Sequence, residues 1–417
     1  MQCARKRSLM IYRATKLLQK NVKQKADITL ICLDNTFSDT TNHVKTISYT
    51  NPCQLILDIY KNKYDFCIFT SWSGEETFIV DIVKDLNIPL ICDFQDCAEG
   101  LSFLTENDLR IKRQRYCIGN SDGLLVRDPR WHNFYQTKWR LEKTRHIIFH
   151  DYLEKKAEKI NFLSTKKQKN LIFLGSFGLG EAADELGWEK IIPVLLKQKF
   201  FIYFIPSPGH STYNITCPYF RISQQNKRFA LIPPQNQAGL LKYQEKCAFG
   251  LNINQLSIFK SKIKTVKKKY LHNCSSNRNY DYAESGLGVI MSNDLLFMRK
   301  IFDDSGSSIS VNSKTIFMLN DLIHDQLKNF SIKSYKAWQN NNLLENNIKE
   351  FKHFTHSFIK NKKNKIQPKN NFCLFIIGEK LKISLNSQKT DEPKKYVPKL
   401  LARLKHSFQK RLKKILK

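Results

Sequence analysis

Residues 278–291 combine three features that together could bind a phosphorylated ligand. The pattern predicts a short helix from Asn279 that carries the carboxylate of Asp281 in its first turn and ends at Gly286, before a buried strand. The start of a helix offers free N–H groups and a positive dipole to a diphosphate, and Arg278 stands where it could neutralise phosphate charge. A carboxylate beside them could accept hydrogen bonds from two ribose hydroxyls. The segment is a candidate nucleotide site, with one alternative: Asp281 only favours the helix dipole and Arg278 lies in solvent.

The same segment resembles the donor-site signature of GT-B glycosyltransferases related to family four, written K-x-x-E-Y-x-A-x-G-x-P-V-I. The resemblance rests on Arg278, Asp281, Tyr282, Ala283, Gly286, Val289 and Ile290. It implies that the acidic residue, Asp281, binds the nucleotide ribose. It also implies donor contacts from Arg278, Tyr282 and Gly286. Two positions depart from the family: Gly288 replaces the usual proline, and Asn273 replaces an acid that in many members contacts the donor sugar.

A glycine-containing turn lies about 100 residues before this segment. An apolar run, residues 171–174, predicts a buried strand that leads directly into Gly175-Ser176-Phe177-Gly178. In the family that the chain resembles, a turn at this place brings its backbone to the donor diphosphate. Gly175, Ser176 and Gly178 are therefore predicted to bind the donor, although a lone G-x-x-G is more often an ordinary tight turn.

The first half of the chain offers an acidic loop after a predicted strand, Asp93-Phe94-Gln95-Asp96. Inverting glycosyltransferases need a base that deprotonates the acceptor hydroxyl, and relatives often carry a histidine in this loop, which is absent here. Asp96 is the predicted catalytic base, and the alternative is that it caps the following helix. Ser73 and Gly74 follow the preceding strand and are further candidates for acceptor contacts. The chain has no D-x-D pair, and the resemblance implies neither a bound metal ion nor another cofactor.

Alternating strands and helices predict the elements that position these residues. The pattern runs once over residues 1–165 and restarts after a polar, lysine-rich stretch to fill residues 166–330. Residues 331–365 are predicted to be a helical crossover and residues 366–417 a basic tail. Together with the resemblance, this indicates an α/β fold of two Rossmann-like domains, acceptor-binding and donor-binding, that face each other across a cleft.

The first domain lacks one expected element. A Rossmann-like domain normally opens with a buried strand and a tight turn before its first helix, but here a helix near Leu9 begins almost at once. We therefore expect that about 10 to 20 residues, enough for one strand and its turn, are missing before the chain starts.

Composition limits the remaining possibilities. The chain has 417 residues, 41% of them hydrophobic and 25% charged, as expected for two globular domains. Its 11 cysteines form no metal-binding pattern and suggest a reducing cytoplasm. No signal peptide and no apolar stretch near the roughly 20 residues of a spanning helix is visible. The net charge of +32 suggests a polyanionic partner, although a biased genome could also produce it.

The last residues, 397–417, show apolar positions at helical spacing between lysines and arginines. A basic amphipathic helix of this kind is suited to lying on an anionic membrane surface. The alternatives are a helix docked on its own domain and an RNA-binding tail.

The sequence therefore predicts a cytoplasmic glycosyltransferase, peripheral on the membrane, that moves a sugar from a nucleotide-sugar donor to a glycan or lipid-linked acceptor in polysaccharide or glycoconjugate synthesis. Asn273 keeps a first alternative open, a degenerate or different GT-B protein such as a nucleotide-sugar epimerase. The second alternative is a basic nucleic-acid-binding protein, which the absence of any recognised nucleic-acid motif opposes.

Overall fold

The computed structural model describes the following residues: 10–11, 13–15, 17, 27–32, 46–48, 59, 64–71, 77–94, 109–127, 131, 133, 136–137, 145–175, 187–207, 217–254, 258–259, 276–360 and 371–376. These residues form two separate sheets, and every strand pairing in both sheets is parallel.

The first sheet consists of short apolar strands that are covered on both faces. The residues of Phe66–Phe69 are all at most 2% exposed, as a parallel sheet flanked by helices requires. In spatial order its strands are β2 (Thr46–Ser48), β1 (Asp27–Cys32), β13 (Asn371–Ile376), β3 (Phe66–Ser71), β4 (Leu90–Phe94), β5 (Gly123–Val126) and β6 (Arg145–Ile148). The helices that belong to it are α1 (Thr77–Asp85) and α2 (Leu109–Gly119), together with helical positions within residues 10–17.

The centre of the first sheet is filled from the far end of the chain. β13 pairs in parallel with β1, where Asp27 lies opposite Asn371, and on its other side with β3, where Phe66 lies opposite Phe372. The predicted basic tail thus contains a central strand of the first sheet. The expectation that residues are missing before the start of the chain stays a prediction.

The second sheet takes its strands from one continuous part of the chain. In spatial order they are β12 (Ser308–Val311), β11 (Gly288–Ser292), β10 (Phe249–Asn252), β7 (Asn170–Gly175), β8 (Phe201–Pro206) and β9 (Phe229–Leu231). Its helices are α3 (Ile191–Lys197), α4 (Pro218–Gln225), α5 (Gln237–Gln244), α6 (Asn277–Glu284), α7 (Leu296–Phe302) and α8 (Leu319–Lys328). Among these elements are the predicted strand at residues 171–174, the predicted helix before Gly286 and the predicted buried strand after it, which are β7, α6 and β11. The predicted fold class, two Rossmann-like α/β domains, is confirmed.

Two further helices, α9 (Ile332–Asn341) and α10 (Ile348–Lys360), occupy the predicted crossover segment. α9 packs on the second domain through Tyr335 and Trp338. α10 packs on the first, where Phe351 stacks on Phe149 with ring centroids 4.8 Å apart. Short 3-10 helices lie at Asn161–Leu163, Thr165–Lys167, Asp303–Ser305, Thr315–Met318 and Leu344–Asn347. No described helix is long and apolar enough to cross a membrane.

The chain passes between the domains twice, and the two passages touch. The N–H of Leu153 donates to the carbonyl of Asn342 at 2.9 Å, and the N–H of Leu344 donates to the carbonyl of Leu153 at 2.9 Å. Leu153 belongs to the core of the second domain, on which Leu343 packs, whereas Leu344 belongs to the core of the first domain. This pairing fixes where the domains meet.

Candidate functional site

The candidate site lies where the carboxyl ends of the two sheets face each other. Parallel α/β sheets bind ligands at this edge, because the loops and helix starts that can reach a ligand lie there. Arg127 directly follows β5 of the first sheet, and Asn277 begins α6 of the second. Nη2 of Arg127 lies 3.4 Å from Oδ1 of Asn277. The two edges are therefore in contact at this point.

Gly175, the last residue of β7, supports the predicted glycine turn. Its φ of +127° belongs to a region that side-chain-bearing residues rarely adopt. A Cβ at this position would lie 2.9 Å from Nη2 of Arg278, and the Arg278 guanidinium carbon lies 4.9 Å from the centre of the Phe173 ring. The structure thus brings together two predicted donor residues about 100 positions apart in sequence, with a cation fixed beside the backbone of Gly175.

Tyr282 explains how α6 is held above the strands. Its side chain is completely buried. Its hydroxyl accepts from the N–H of Leu174 at 3.0 Å and donates to the carbonyl of Leu251 at 3.3 Å. It joins the helix to β7 and β10, and its ring covers Gly250. Tyr282 therefore holds α6 on the two strands, and its predicted contact with the donor stays a prediction.

The surroundings of the Tyr282 hydroxyl locate the two charged candidates. Burial raises the pKa of this hydroxyl above its ordinary value, Arg278 lowers it, and Asp281 raises it. Both charges therefore act on the same point near the end of β7. Asp281 is partly exposed, and its backbone carbonyl is 3.5 Å from Nε2 of Gln244.

The structure corrects the position of Asp281 within the helix. α6 begins at Asn277, two residues before the predicted start, so Asp281 lies in the second turn and the first turn carries no acidic residue. The dipole of a helix acts on charges mainly in its terminal turns. The alternative explanation, that Asp281 serves only the helix dipole, is therefore weakened.

Gly286 lies at the other end of α6, away from the cleft. Its φ of +69° ends the helix in the predicted left-handed conformation. Its carbonyl accepts from the N–H groups of Asn161 at 2.7 Å and Phe162 at 3.3 Å, and a Cβ would collide with the carbonyl oxygen of Lys159. Eight helical residues, about 12 Å, separate the ends of α6. Gly286 thus fixes the end of the helix to the interdomain passage, and its predicted donor contact stays a prediction.

The remaining predicted positions are divided between described and undescribed parts of the chain. Asp93, in β4, is completely buried at the carboxyl edge of the first sheet. Other predicted residues lie outside the described residues, and their roles stay predictions: Ser73, Gly74, Gln95, Asp96, Ser176, Gly178 and Asn273.

Sequence reasoning missed the buried polar residues that line the junction of the domains. Arg127 and Asp151 are 5% and 3% exposed, and Nη2 of the arginine lies 3.5 Å from Oδ1 of the aspartate. Nearby, Nδ1 of His150 lies 3.4 Å from the hydroxyl of Tyr280 on α6. A lone arginine after a short strand carries no distinguishing sequence signal, because its partners are 24 and 150 positions away.

A second polar group lies beneath α6. Asn279 is completely buried, and its Oδ1 accepts from Nδ2 of Asn252 at 2.9 Å. Its own Nδ2 has no hydrogen-bond partner among the described residues. A buried donor without a partner costs about 1 to 3 kcal/mol, and a bound water or ligand would offset this. No group of three or more His, Cys, Asp or Glu residues suited to a metal ion occurs in the described part.

Comparisons with known proteins agree with this geometry at the level of the fold. No family model matches the sequence, and no curated protein matches it. Among solved structures, TarM is similar with a TM-score of 0.50 and 12% identity, covering 72% of this chain and 57% of TarM. This chain therefore spans little more than half of TarM's length.

Two other structures are similar over nearly their whole lengths. A glycosyltransferase from Rickettsia africae ESF-5 has a TM-score of 0.45 and 11% identity, covering 84% of this chain and 96% of that chain. S. aureus MnaA, in a structure with UDP, has a TM-score of 0.49 and 10% identity, covering 87% of this chain and 97% of that chain.

The two facing domains and the similarity to TarM define the class: the chain has the GT-B fold. Identities of 10 to 12% show the fold alone. What this GT-B protein does must therefore be argued from its own residues.

Proposed function

We propose that this protein is a glycosyltransferase that transfers a sugar from a nucleotide-sugar donor to an acceptor. The observation that carries the proposal is the arrangement of Gly175 and Arg278 at the carboxyl edge of the second sheet, with Asp281 in the second turn of α6. A bare backbone turn, a fixed guanidinium and a carboxylate are the groups that a nucleoside diphosphate requires.

The chemistry follows from what changes during transfer. When the bond between sugar and diphosphate breaks, negative charge develops on the leaving phosphate oxygen. Arg278 is held in place by Phe173 and lies next to the start of α6, so it can stabilise that charge without moving. Asp281 would bind the ribose hydroxyls and so fix the nucleotide relative to the cleft. Asp96 remains the candidate base for the acceptor hydroxyl.

The acceptor belongs to the finer part of the proposal. We propose a glycan or lipid-linked acceptor, bound by the first domain and used in polysaccharide or glycoconjugate synthesis. Residues 397–417 would hold the enzyme on the cytoplasmic face of an anionic membrane, because their basic amphipathic pattern suits such a surface. A membrane-bound enzyme would meet a lipid-linked acceptor where that acceptor resides.

The proposal is tested with a panel of nucleotide sugars and their diphosphates, scored by the rise in unfolding temperature. A ligand at 100 times its dissociation constant stabilises by about 2.7 kcal/mol, which shifts the transition of a domain of this size by several degrees. We expect one nucleotide to protect the parent protein and the Arg228→Ala control, an exposed arginine of the same domain. Arg278→Ala should lose the protection.

The reaction itself is then measured with the protecting donor and mixed glycan or lipid acceptors. We expect transfer that continues in the presence of a chelator. Conversion of the donor into an epimer without an acceptor would assign a different reaction to the same site. Absence of protection by every nucleotide would contradict the proposed function.

A further inference from the structure

We propose that Arg127, a residue of the first domain, is a second cation for the donor diphosphate, so that one ligand is held by both domains. This inference rests on the proposed function and goes beyond it. It makes the first domain part of donor binding, whereas the sequence pattern places every donor residue in the second domain.

The first support is the position of Arg127. It follows the carboxyl end of β5, and its Nη2 reaches Oδ1 of Asn277, the first residue of α6, at 3.4 Å. Arg278, the next residue along the helix, places its guanidinium beside Gly175. Both guanidinium groups therefore lie near the start of α6, although Arg127 belongs to the first domain and Arg278 to the second.

The second support is an electrostatic imbalance at that place. The start of a helix carries a partial positive charge, so cations there are unfavourable. Asp151 balances Arg127, with 3.5 Å between Oδ1 and Nη2. No carboxylate among the described residues lies within ion-pair distance of Arg278, which is stacked on Phe173. A doubly charged phosphate group beside Arg278 and the start of α6 would bring negative charge to that place.

The third support is burial. Arg127, Asp151 and Asn277 are each at most 5% exposed. A guanidinium removed from water interacts strongly with a neighbouring anion, because the surrounding dielectric is low and salt screens it little. A diphosphate at this place would lie between Arg127 of one domain and α6 of the other, and its binding would strengthen the junction.

The test compares a nucleoside, its monophosphate and its diphosphate by titration calorimetry, with the base chosen from the panel above. In Arg127→Gln we expect affinity for the diphosphate to fall about tenfold or more, equivalent to about 1.4 kcal/mol. Affinity for the nucleoside should stay within about twofold. Arg127→Lys keeps the charge but not the planar fork, and we expect an intermediate loss.

Arg13→Gln is the matched control. Arg13 is also an arginine of the first domain at the interdomain junction, where it pairs with Glu154, but it lies away from α6's first turn. It should bind all three ligands like the parent. The unfolding curve of each variant without ligand decides the temperature of its titration. A less stable Arg127→Gln is then still titrated in its folded state.

Three results would overturn the inference. If Arg127→Gln binds the diphosphate as tightly as the parent while Arg278→Ala binds it more weakly, Arg127 does not bind the diphosphate. The proposed function is then unaffected. An equal loss for the nucleoside and the diphosphate would assign Arg127 a purely structural role. If the parent protein binds none of the three ligands, the proposed function fails first and the role of Arg127 fails with it. These titrations contain no acceptor. A loss of affinity for the nucleoside diphosphate therefore cannot come from a phosphate group on the acceptor.

Discussion

The two sheets differ in where their central strands come from. Every strand of the second sheet lies within residues 170–311, whereas the first sheet combines strands from residues 27–148 with β13 at residues 371–376. Closing the first sheet therefore requires a contact across more than 200 residues of chain, which is slow to form and depends on the whole chain. The second domain can be completed locally, but the first domain can be completed only after the chain has passed through the second domain and returned.

Deleting residues 366–417 should have the largest effect, because it should destabilise the first sheet and leave the second sheet intact. Loss of β13 leaves the facing edges of β1 and β3 without partners in the middle of a buried sheet. We expect residues 66–69 to lose their protection from hydrogen exchange while residues 171–174 keep theirs. Deleting only residues 397–417 is the control and should preserve both. Full protection of residues 66–69 in the longer deletion would show that β13 is dispensable.

Gly286→Ala should have the next largest effect, a loss of stability in the second domain. The left-handed φ of +69° and the collision with Lys159 each oppose a side chain. We expect the free energy of unfolding to fall by about 1 to 3 kcal/mol. Gly119→Ala, at the end of α2, meets nothing within 4 Å and should change stability by less than about 1 kcal/mol. Denaturant curves of equal midpoint for the two variants would contradict the packing at Gly286.

Tyr282→Phe tests the attachment of α6 with a smaller change. Without the hydroxyl, the buried N–H of Leu174 and the carbonyl of Leu251 lose a partner, which should cost about 1 to 3 kcal/mol. Tyr335→Phe removes a single hydrogen bond, to the carbonyl of Ala283 at 3.3 Å, and should cost less. Equal costs for the two variants would remove the bridging role of Tyr282.

The same tyrosine predicts a pH effect. Burial raises the pKa of the Tyr282 hydroxyl above its ordinary value of about 10. The folded state therefore holds the proton more tightly than the unfolded state. This contribution is complete below pH 10 and is lost as the pH rises above it. Thermal unfolding should show a smaller stability difference between parent and Tyr282→Phe at pH 11 than at pH 8.

Removing the tail after β13 should have the smallest effect on the protein, because it should change membrane binding and leave folding unchanged. Removal of residues 397–417 should abolish binding to anionic vesicles, and high salt should weaken binding by the parent protein, because exposed charges are screened over about 8 Å at physiological salt. Cosedimentation with neutral and anionic vesicles measures both effects. Equal binding to the two vesicle types would remove the electrostatic argument.

Sequence reasoning succeeded where the pattern is local. The local pattern predicted β7, α6 and β11, because burial and chain direction there repeat within a few residues. It likewise placed Gly175 and Arg278 in one site, through a resemblance between short motifs. The left-handed cap at Gly286 was predicted from one glycine at a helix end.

It failed where a feature depends on distant chain. The apolar run 372–377 was visible in the sequence, but nothing local shows that it pairs with residues 27–32. Arg127 and Asn277 are 150 positions apart, so their contact also has no local signature. Helix boundaries shifted too, and the shift of two residues at the start of α6 moved Asp281 out of the first turn.

Titration calorimetry of four proteins tests most directly whether Gly175 and α6 form a site for a nucleoside diphosphate. We expect the parent and Arg228→Ala to bind the same diphosphate equally. Asp281→Asn should weaken the nucleoside and the diphosphate alike by about tenfold, because it loses a charge that accepts ribose hydroxyls. Arg278→Ala should weaken the diphosphate far more than the nucleoside. If Asp281→Asn and Arg278→Ala bind every tested diphosphate as tightly as the parent, the donor site is not here.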